Sequence, residues 1–283
     1  MIEKIRVLVV DDSAFMRRYI SDIINKEPDM VVIDWAGDGD TAIKKIISLN
    51  PDVITLDVEM PVKNGLEVLK EIKDITNAKI IMLSGLTTEG SATTVEALSI
   101  GAFDFGEKPS GASLNRISAM KRDLLTKIRH AYYAKVKKAV KKPVRKEQDT
   151  IKTPKKATGQ IEAVVLGAST GGPKVLYDVI TKFPRDIGVP IFVVQHMPSG
   201  FTKAFADRLD KQANLKVVEG RHEEDIRLGV VYIAPGGYHM IVGQGKILLD
   251  TSPPVHGVRP AVDKLFISAA KIYKEKTLGC IFT

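Results

Sequence analysis

Five residues in the first half of the chain carry chemistry-bearing side chains at matching positions. Asp11 and Asp12 follow the apolar run Ile5–Val10, and Asp57 follows Val53–Leu56. Ser84 follows Ile80–Leu83, and Lys108 comes shortly after Phe103–Phe105. Three carboxylates brought together repel one another unless a hard cation joins them. Mg²⁺ suits such a set, because it takes one or two carboxylates and completes its shell with water and phosphate oxygens. A carboxylate beside that cation can attack a phosphoryl group and form an aspartyl phosphate. Lys108 could stabilise the added charge, and the Ser84 hydroxyl could hydrogen-bond a phosphoryl oxygen. The simpler alternative, that Asp11 and Asp12 cap a helix, accounts for one pair and leaves the other three residues unexplained.

These residues meet only if the apolar runs are parallel strands. Between the runs, Phe15–Ile24, Thr41–Leu49, Leu66–Ile75 and Ala92–Ile100 show apolar residues at helical spacing. Val31–Ile33 supplies a further strand. Strand–helix alternation implies βαβ units and a parallel sheet, with ligand chemistry at the carboxyl ends of the strands. A long amphipathic helix with Leu114, Ile117, Leu124, Leu125 and Ile128 on one side should close the first domain.

The second half repeats the pattern in type. Strands are expected at Ala163–Leu166, Ile191–Gln195, Lys216–Val218, Val230–Ala234, Met240–Val242, Ile247–Leu249 and Leu278–Phe282. Helices are expected at Pro173–Thr181, Thr202–Gln212 and Ala261–Tyr273, with a hairpin near Gly243-Gln244-Gly245. Gly167-Ala-Ser169-Thr170-Gly171-Gly172 lies between the first of these strands and a helix begun by Pro173. A serine on so tight a strand-to-helix turn is held out at the sheet edge. The helix amides that follow favour developing negative charge, which makes Thr170 and Gly171 candidates for the turn and oxyanion site. A glycine-rich phosphate loop is an alternative, but Gly-x-Gly-x-x-Gly fails at position 169 and no Gly-Lys-Ser/Thr follows. A purely structural turn also stays open.

A nucleophilic serine needs a base. His130 ends the first domain, His222 sits in a charged segment, His239 begins a strand, and His256 lies in a Pro-rich loop. Only His196 follows a core strand at the same sheet edge as Ser169, and it is the candidate general base.

The chain has 283 residues, 44% hydrophobic and 27% charged, the composition of a soluble globular protein with room for two cores. No apolar run approaches the roughly 20 residues of a membrane span, and Val7–Val10 runs too soon into acids for a signal peptide. A cytoplasmic location without membrane insertion is the expectation. Between Lys135 and Lys156 stand ten basic and two acidic residues, a surplus equal to the net +8 of the whole chain. With Pro143 and Pro154 and no apolar period, residues 131–160 read as a flexible basic linker. Charge confined to it, with no helix-turn-helix beyond it, argues against nucleic acid as a partner. The single Cys280 excludes an internal disulfide and reads as a small buried hydrophobe.

Residues 1 to about 125 resemble a two-component receiver domain, on Val-Val-Asp11-Asp12-Ser13, Asp57-Val-Glu-Met60-Pro61, Ser84 and Lys108-Pro109. The resemblance implies that Asp57 accepts phosphate from a chemotaxis histidine kinase. It also implies that Asp11, Asp12 and Asp57 hold Mg²⁺, and that Ser84 and Phe105, with Lys108, form the switch. Together with the linker, Gly-Ala-Ser169-Thr-Gly-Gly-Pro, Gln195-His196-Met197-Pro198, Tyr232-Ile-Ala-Pro235-Gly236 and Arg259-Pro260-Ala-Val-Asp263, the chain is similar to the chemotaxis protein-glutamate methylesterases, the CheB family. That implies a flavodoxin-like receiver (1–130), the linker (131–160) and a Rossmann-like methylesterase domain (161–283), both doubly wound α/β sheets. It implies hydrolysis of glutamyl γ-methyl esters, and deamidation of some glutamines, on the cytoplasmic signalling helices of chemoreceptors. Phosphorylation would regulate this hydrolysis, and the esterase domain would need no cofactor. Arg259 and Asp263 would lie on the substrate side.

The resemblance further implies a third triad acid, in a Gly-Met-Gly-x-Asp-Gly turn after a late strand. Here the late strand is Leu278–Thr283, and no such turn occurs in the sequence. The esterase domain is therefore expected to lack its C-terminal part, the sequence to be a fragment of a longer protein, and its esterase activity to fall by on the order of 10⁴. The sheet would also expose an edge. Asp263 and Asp250 are weaker substitutes for the missing acid. The alternative function is a phosphorylation-controlled binding module in which catalysis is lost.

Overall fold

A computed structural model describes residues 4–85, 87–108, 114–139 and 160–282, which divide into two compact units. In the first unit, strands β1 (Ile5–Val10), β2 (Met30–Ala36), β3 (Val53–Asp57), β4 (Lys79–Ser84) and β5 (Asp104–Glu107) alternate with helices α1 (Ala14–Asn25), α2 (Gly39–Leu49), α3 (Gly65–Ile72), α4 (Thr88–Ile100) and α5 (Leu114–Ala139). All strands run parallel in the order β2-β1-β3-β4-β5. β1, β3 and β4 are nearly continuous Val, Ile and Leu because helices cover both faces of the sheet. One face packs Val7, Val9 and Ile81 against Ile20 and Ile24 of α1 and Leu124, Leu125 and Ile128 of α5. Fully burying each such side chain contributes about 1.5–3 kcal/mol.

The helix starts follow local chemistry. The side chains of Ser13, Asp38, Asn64 and Thr87 each accept a backbone N–H of the turn that follows, and Asn64 with Glu67 forms a complete capping box. Arg129 of α5 donates to both carboxylate oxygens of Asp29 and to Glu27, tying α5 to the approach to β2.

In the second unit, β6 (Ala163–Ala168), β7 (Ile191–Gln195), β8 (Lys216–Glu219), β10 (Val230–Ile233) and β13 (Thr277–Phe282) form a parallel sheet in the order β13-β6-β7-β10-β8. Helices α6 (Gly172–Ile180), α7 (Phe201–Asp210) and α8 (Val262–Tyr273) accompany it, and a short 3₁₀ turn (Lys274–Lys276) leads into β13. β9 (Glu224–Asp225), β11 (His239–Val242) and β12 (Lys246–Asp250) make a separate antiparallel sheet, with the expected hairpin between β11 and β12. β9 is too short to carry a sequence pattern. A neighbouring residue holds its place: the Tyr232 side chain, fully buried beside Phe192, donates its hydroxyl to Asp225 O and accepts from the Arg227 N–H.

Two expectations differ from what is found. α5 continues through Ala139, so nine residues assigned to the linker are helical; Ala131 is buried in the core with Tyr132 packed against it, and Ala and Lys are good helix formers. Residues 140–159, Pro109 and the side chains of Leu114 and Ile117 lie outside the described residues. Cys280 is half-buried, because β13 pairs with β6 on one flank and has no strand on the other among the described residues.

Gly65, the first residue of α3, lies against the Asp57 backbone, and a β-carbon there would fall 1.9 Å from Asp57 O. Gly65→Ala should destabilise the first unit by about 1–3 kcal/mol, a typical cost of overpacking. Urea unfolding followed by the fluorescence of Trp35, the chain's one tryptophan, reads this unit alone. An unchanged midpoint would contradict the close approach.

Candidate phospho-acceptor and hydrolase sites

The parallel sheet of the first unit brings Asp11, Asp12, Asp57, Ser84 and Lys108 to one edge. Asp11 and Asp57 are buried and Asp12 is exposed. Ligand oxygens of the three acids lie within 4.8 Å of one another. Lys108 Nζ stands 2.6 Å from Asp57 Oδ2 and 2.8 Å from Asp11 Oδ2, both ion-pair distances. Backbone amides hold the acids in place: Ser13 N–H donates to Asp11 Oδ1 and Glu59 N–H to Asp57 Oδ1. Arg17 draws the turn tight by donating to the carbonyls of Asp11 and Asp12.

Burial pushes the Asp57 carboxyl up to about 6, opposed by Lys108 and reinforced by the Asp11 charge. Burial disfavours the Lys108 ammonium, but hydrogen bonds to Asp11 and Asp57 outweigh it and raise its pKa. Three carboxylates facing one ammonium leave an excess of negative charge in a cluster of hard oxygens. That donor set fits a divalent cation such as Mg²⁺.

A depression beside Asp57 and Lys108 is lined by Glu59, Met60, Asn64 and Thr87. The β3–α3 loop that forms its rim is closed at its base. Val58 N–H donates to Leu83 O, and Gly65 N–H donates to Val58 O. Its tip, Val62, is fully exposed at a positive φ of 67°, an uncommon conformation for a β-branched residue. The next residue, Lys63, pairs with Asp40 and Glu71. The expected switch residues lie nearby in β4 and β5. Ser84 is buried and donates its hydroxyl to Gly85 O. Phe105 is also buried, with Lys127 Nζ over its ring and donating to its carbonyl.

In the second unit, β6 ends at Ala168 and α6 begins at Gly172, leaving Ser169 exposed on the turn between them. Gly171 takes a positive φ of 72°, which favours glycine. At Gly172 a β-carbon would fall 2.3 Å from Gln195 Oε1 and 2.6 Å from Ala168 Cβ, so the turn needs glycine there too. His196 follows β7, which pairs with β6 so that Gln195 lies opposite Ala168. The Ser169 Oγ to His196 Nδ1 distance is 3.1 Å, within hydrogen-bond reach. Burial lowers the His196 pKa, and the nearby charge of Asp263 pulls it the other way. Burial thus favours the neutral imidazole, the form a general base needs. The tautomer in which Nδ1 accepts from the serine carries its proton on Nε2, which is buried and has no hydrogen-bond partner among the described residues.

The other predicted residues are distributed around this pair. Asp263 is exposed in the first turn of α8 and caps nothing: the N-cap is Ala261, without a side-chain hydrogen bond. Arg259 donates to the carbonyls of Thr251 and Ser252, which fixes its own loop. Asp250 is occupied by Ser252 and Lys264. His239 is wholly buried, with Nδ1 accepting from Ala261 N–H and Nε2 facing Pro253 O. His222, expected in a solvated loop, is exposed but accepts from Leu249 N–H at β12. Thr202 donates to Glu219 and accepts from Gly236 N–H, which locks the start of α7 to the end of β8 and to the turn after β10.

Sequence reasoning missed Gln195. Its side chain is 2% exposed, and its amide donates to Ser169 O at 3.0 Å and, at 3.4 Å, to His196 O. An amide inside a strand of Ile, Phe and Val was the available signal, since a buried amide must find partners.

Comparison with known proteins agrees with both units. The response regulator receiver domain family matches residues 7–122, and the CheB methylesterase family matches residues 164–283. The protein-glutamate methylesterase/protein-glutamine glutaminase of Clostridium acetobutylicum is 49% identical over 99% of this chain and 81% of its own length. The proteins of that name from Thermotoga maritima and Bacillus subtilis are 47% and 43% identical, with the same two coverages. The chain belongs to this family. Among solved structures, the Thermotoga maritima CheB response regulator domain is 52% identical, covering 46% of this chain and 98% of that one (TM-score 0.43). The catalytic domain of the same protein is 46% identical, covering 44% of this chain and 68% of that one (TM-score 0.42).

The Asp57 environment gives a signed prediction. Its folded pKa of about 6 lies above the ordinary 3.8, so ionised Asp57 opposes folding. That penalty is absent below about pH 4, grows through pH 6 and is complete above it. Asp57→Asn should therefore raise the Trp35-detected unfolding midpoint more at pH 8 than at pH 4.5. Mg²⁺ at pH 8 should stabilise the unsubstituted chain, and Asp57→Asn much less. An equal effect of Asp57→Asn at both pH values would discount burial as the cause.

Proposed function

We propose that the chain is a phosphorylation-regulated serine hydrolase acting on glutamyl γ-methyl esters, and on some glutamine amides, of chemoreceptor signalling helices. The observation that carries this reading is the Ser169–His196 contact at the sheet edge, in a chain of the methylesterase family with a receiver domain.

Ser169 Oγ attacks the ester carbonyl while His196 Nδ1 takes its proton. The negative charge that develops on the carbonyl oxygen falls beside the Thr170–Gly171 turn and the N-terminal amides of α6. Collapse of the tetrahedral species breaks the bond to the methoxy oxygen. His196 returns the proton, methanol leaves, and an acyl-serine remains. Water, deprotonated by His196, then attacks the acyl carbon and frees the glutamate and Ser169. A glutamine follows the same route, with ammonia as the leaving group. A carboxylate accepting from the buried His196 Nε2–H would fix the tautomer that this scheme needs. Asp263 and Arg259 flank the substrate side.

In the receiver, Asp57 is the phosphate acceptor, with a chemotaxis histidine kinase as donor. Asp11, Asp12 and Asp57 would hold Mg²⁺, which when bound offsets the negative charge of the incoming phosphoryl oxygens. Lys108 stays paired with the acceptor carboxylate, and Ser84 and Phe105 form the switch. No helix among the described residues is long and apolar enough to cross a membrane, and we place the protein in the cytoplasm. The domain division we propose is receiver, basic linker and esterase, with the receiver's last helix reaching Ala139.

Methanol release from methylated receptor, with and without a small-molecule phosphodonor and Mg²⁺, tests both halves. Ser169→Ala should lower release by at least about a hundredfold, given what loss of a serine nucleophile costs. Asp57→Asn should remove the response to phosphodonor. Phosphodonor-dependent receptor binding without Ser169-dependent methanol release would instead establish the binding-module reading, which the lack of a partner for His196 Nε2 among the described residues favours.

A further inference from the structure

We infer that Gln195 is a positioning residue that sets the distance between nucleophile and base, an inference resting on the reading of Ser169 and His196 in those roles. The two residues stand on separate turns, after β6 and after β7. Among the described residues, one backbone hydrogen bond continues the ladder past the strand ends, from His196 N–H to Ala168 O at 3.4 Å. The Gln195 side chain adds the cross-link. Its amide nitrogen reaches Ser169 O on one turn and His196 O on the other. Both neighbours are carbonyl oxygens, so the NH₂ end must face them; the reverse orientation would set three acceptors together.

The geometry leaves the amide no slack. Ser169 O already accepts the Gly172 N–H at 2.7 Å, and Gln195 fills its second lone pair, fixing the peptide plane that follows the nucleophile. Behind the amide, Gln195 Oε1 is buried with no hydrogen-bond partner among the described residues and lies close against the Gly172 backbone, where no β-carbon could fit. A buried amide is thus clamped between the start of α6 and the two reactive turns. It touches neither Ser169 Oγ nor the imidazole. What it controls is their separation, and a misplacement of about 1 Å in such a pair costs up to a hundredfold in rate.

The test uses the whole chain and a fluorophosphonate. In that reaction Ser169 Oγ bonds to phosphorus, fluoride leaves and His196 takes the proton. Gln195→Met keeps the size and removes the donor. We expect its limiting labelling rate to fall roughly 10- to 100-fold, with the half-saturating probe concentration within about twofold. The ¹⁵N signal of His196 Nδ1 should move toward that of an unbonded imidazole nitrogen. Should Gln195→Met not fold, Gln195→Leu removes the same donor with a shorter apolar side chain, and the same two changes are expected. Ser169-dependent labelling that a folded variant leaves unchanged would overturn the proposal. So would a loss confined to the half-saturating concentration. Equal labelling of Ser169→Ala would remove the nucleophile reading itself, and Gln195's role with it.

Discussion

Parallel strand pairing is the constraint on which both units depend. It points all carboxyl ends of a sheet to the same edge, so residues dozens of positions apart meet without long loops. In the first unit it places Asp11, Asp57 and Lys108 within ion-pair distance. In the second it places Ser169 beside His196, because Ala168 and Gln195 are register partners in β6 and β7. A shift of one residue in that register would turn every side chain of the strand to the opposite face, and with it the histidine away from the serine.

The two sites use burial in opposite ways. Around Asp57, burial and crowded like charge raise the cost of ionisation, so the pocket favours whatever neutralises it: a proton, the lysine or a divalent cation. Around His196, burial suppresses protonation and keeps a lone pair available beside a hydroxyl. The same physical effect thus stores charge for one chemistry and withholds it for the other.

Much of this was legible in the sequence. The core strands and principal helices follow from apolar period, and the acidic pocket from residues repeated at consecutive strand ends. Ser169 followed from its glycine-rich turn and His196 from its place after a core strand. What escaped was set by tertiary contact. β9 spans two residues and depends on a hydroxyl from Tyr232. Gln195 looked like the polar end of an apolar strand, and its meaning lies in two carbonyls that only the fold brings near. α5 outran the stripe read from the sequence, since Ala131 and Tyr132 carry its packing past Ile128. Arg259 follows a motif, but its partners Thr251 and Ser252 lie in the β12–α8 loop, whose path no periodicity describes.

The β3–α3 loop carries a mechanical consequence. Its base is stapled on both sides, by Val58 to Leu83 and by Gly65 to Val58, while its tip at Val62 stands clear in solvent. A push on the tip meets the staples before it meets the acceptor, so the loop is a short lever with a fixed fulcrum. The rim of the depression can therefore tolerate being handled, while the carboxylate inside keeps its place.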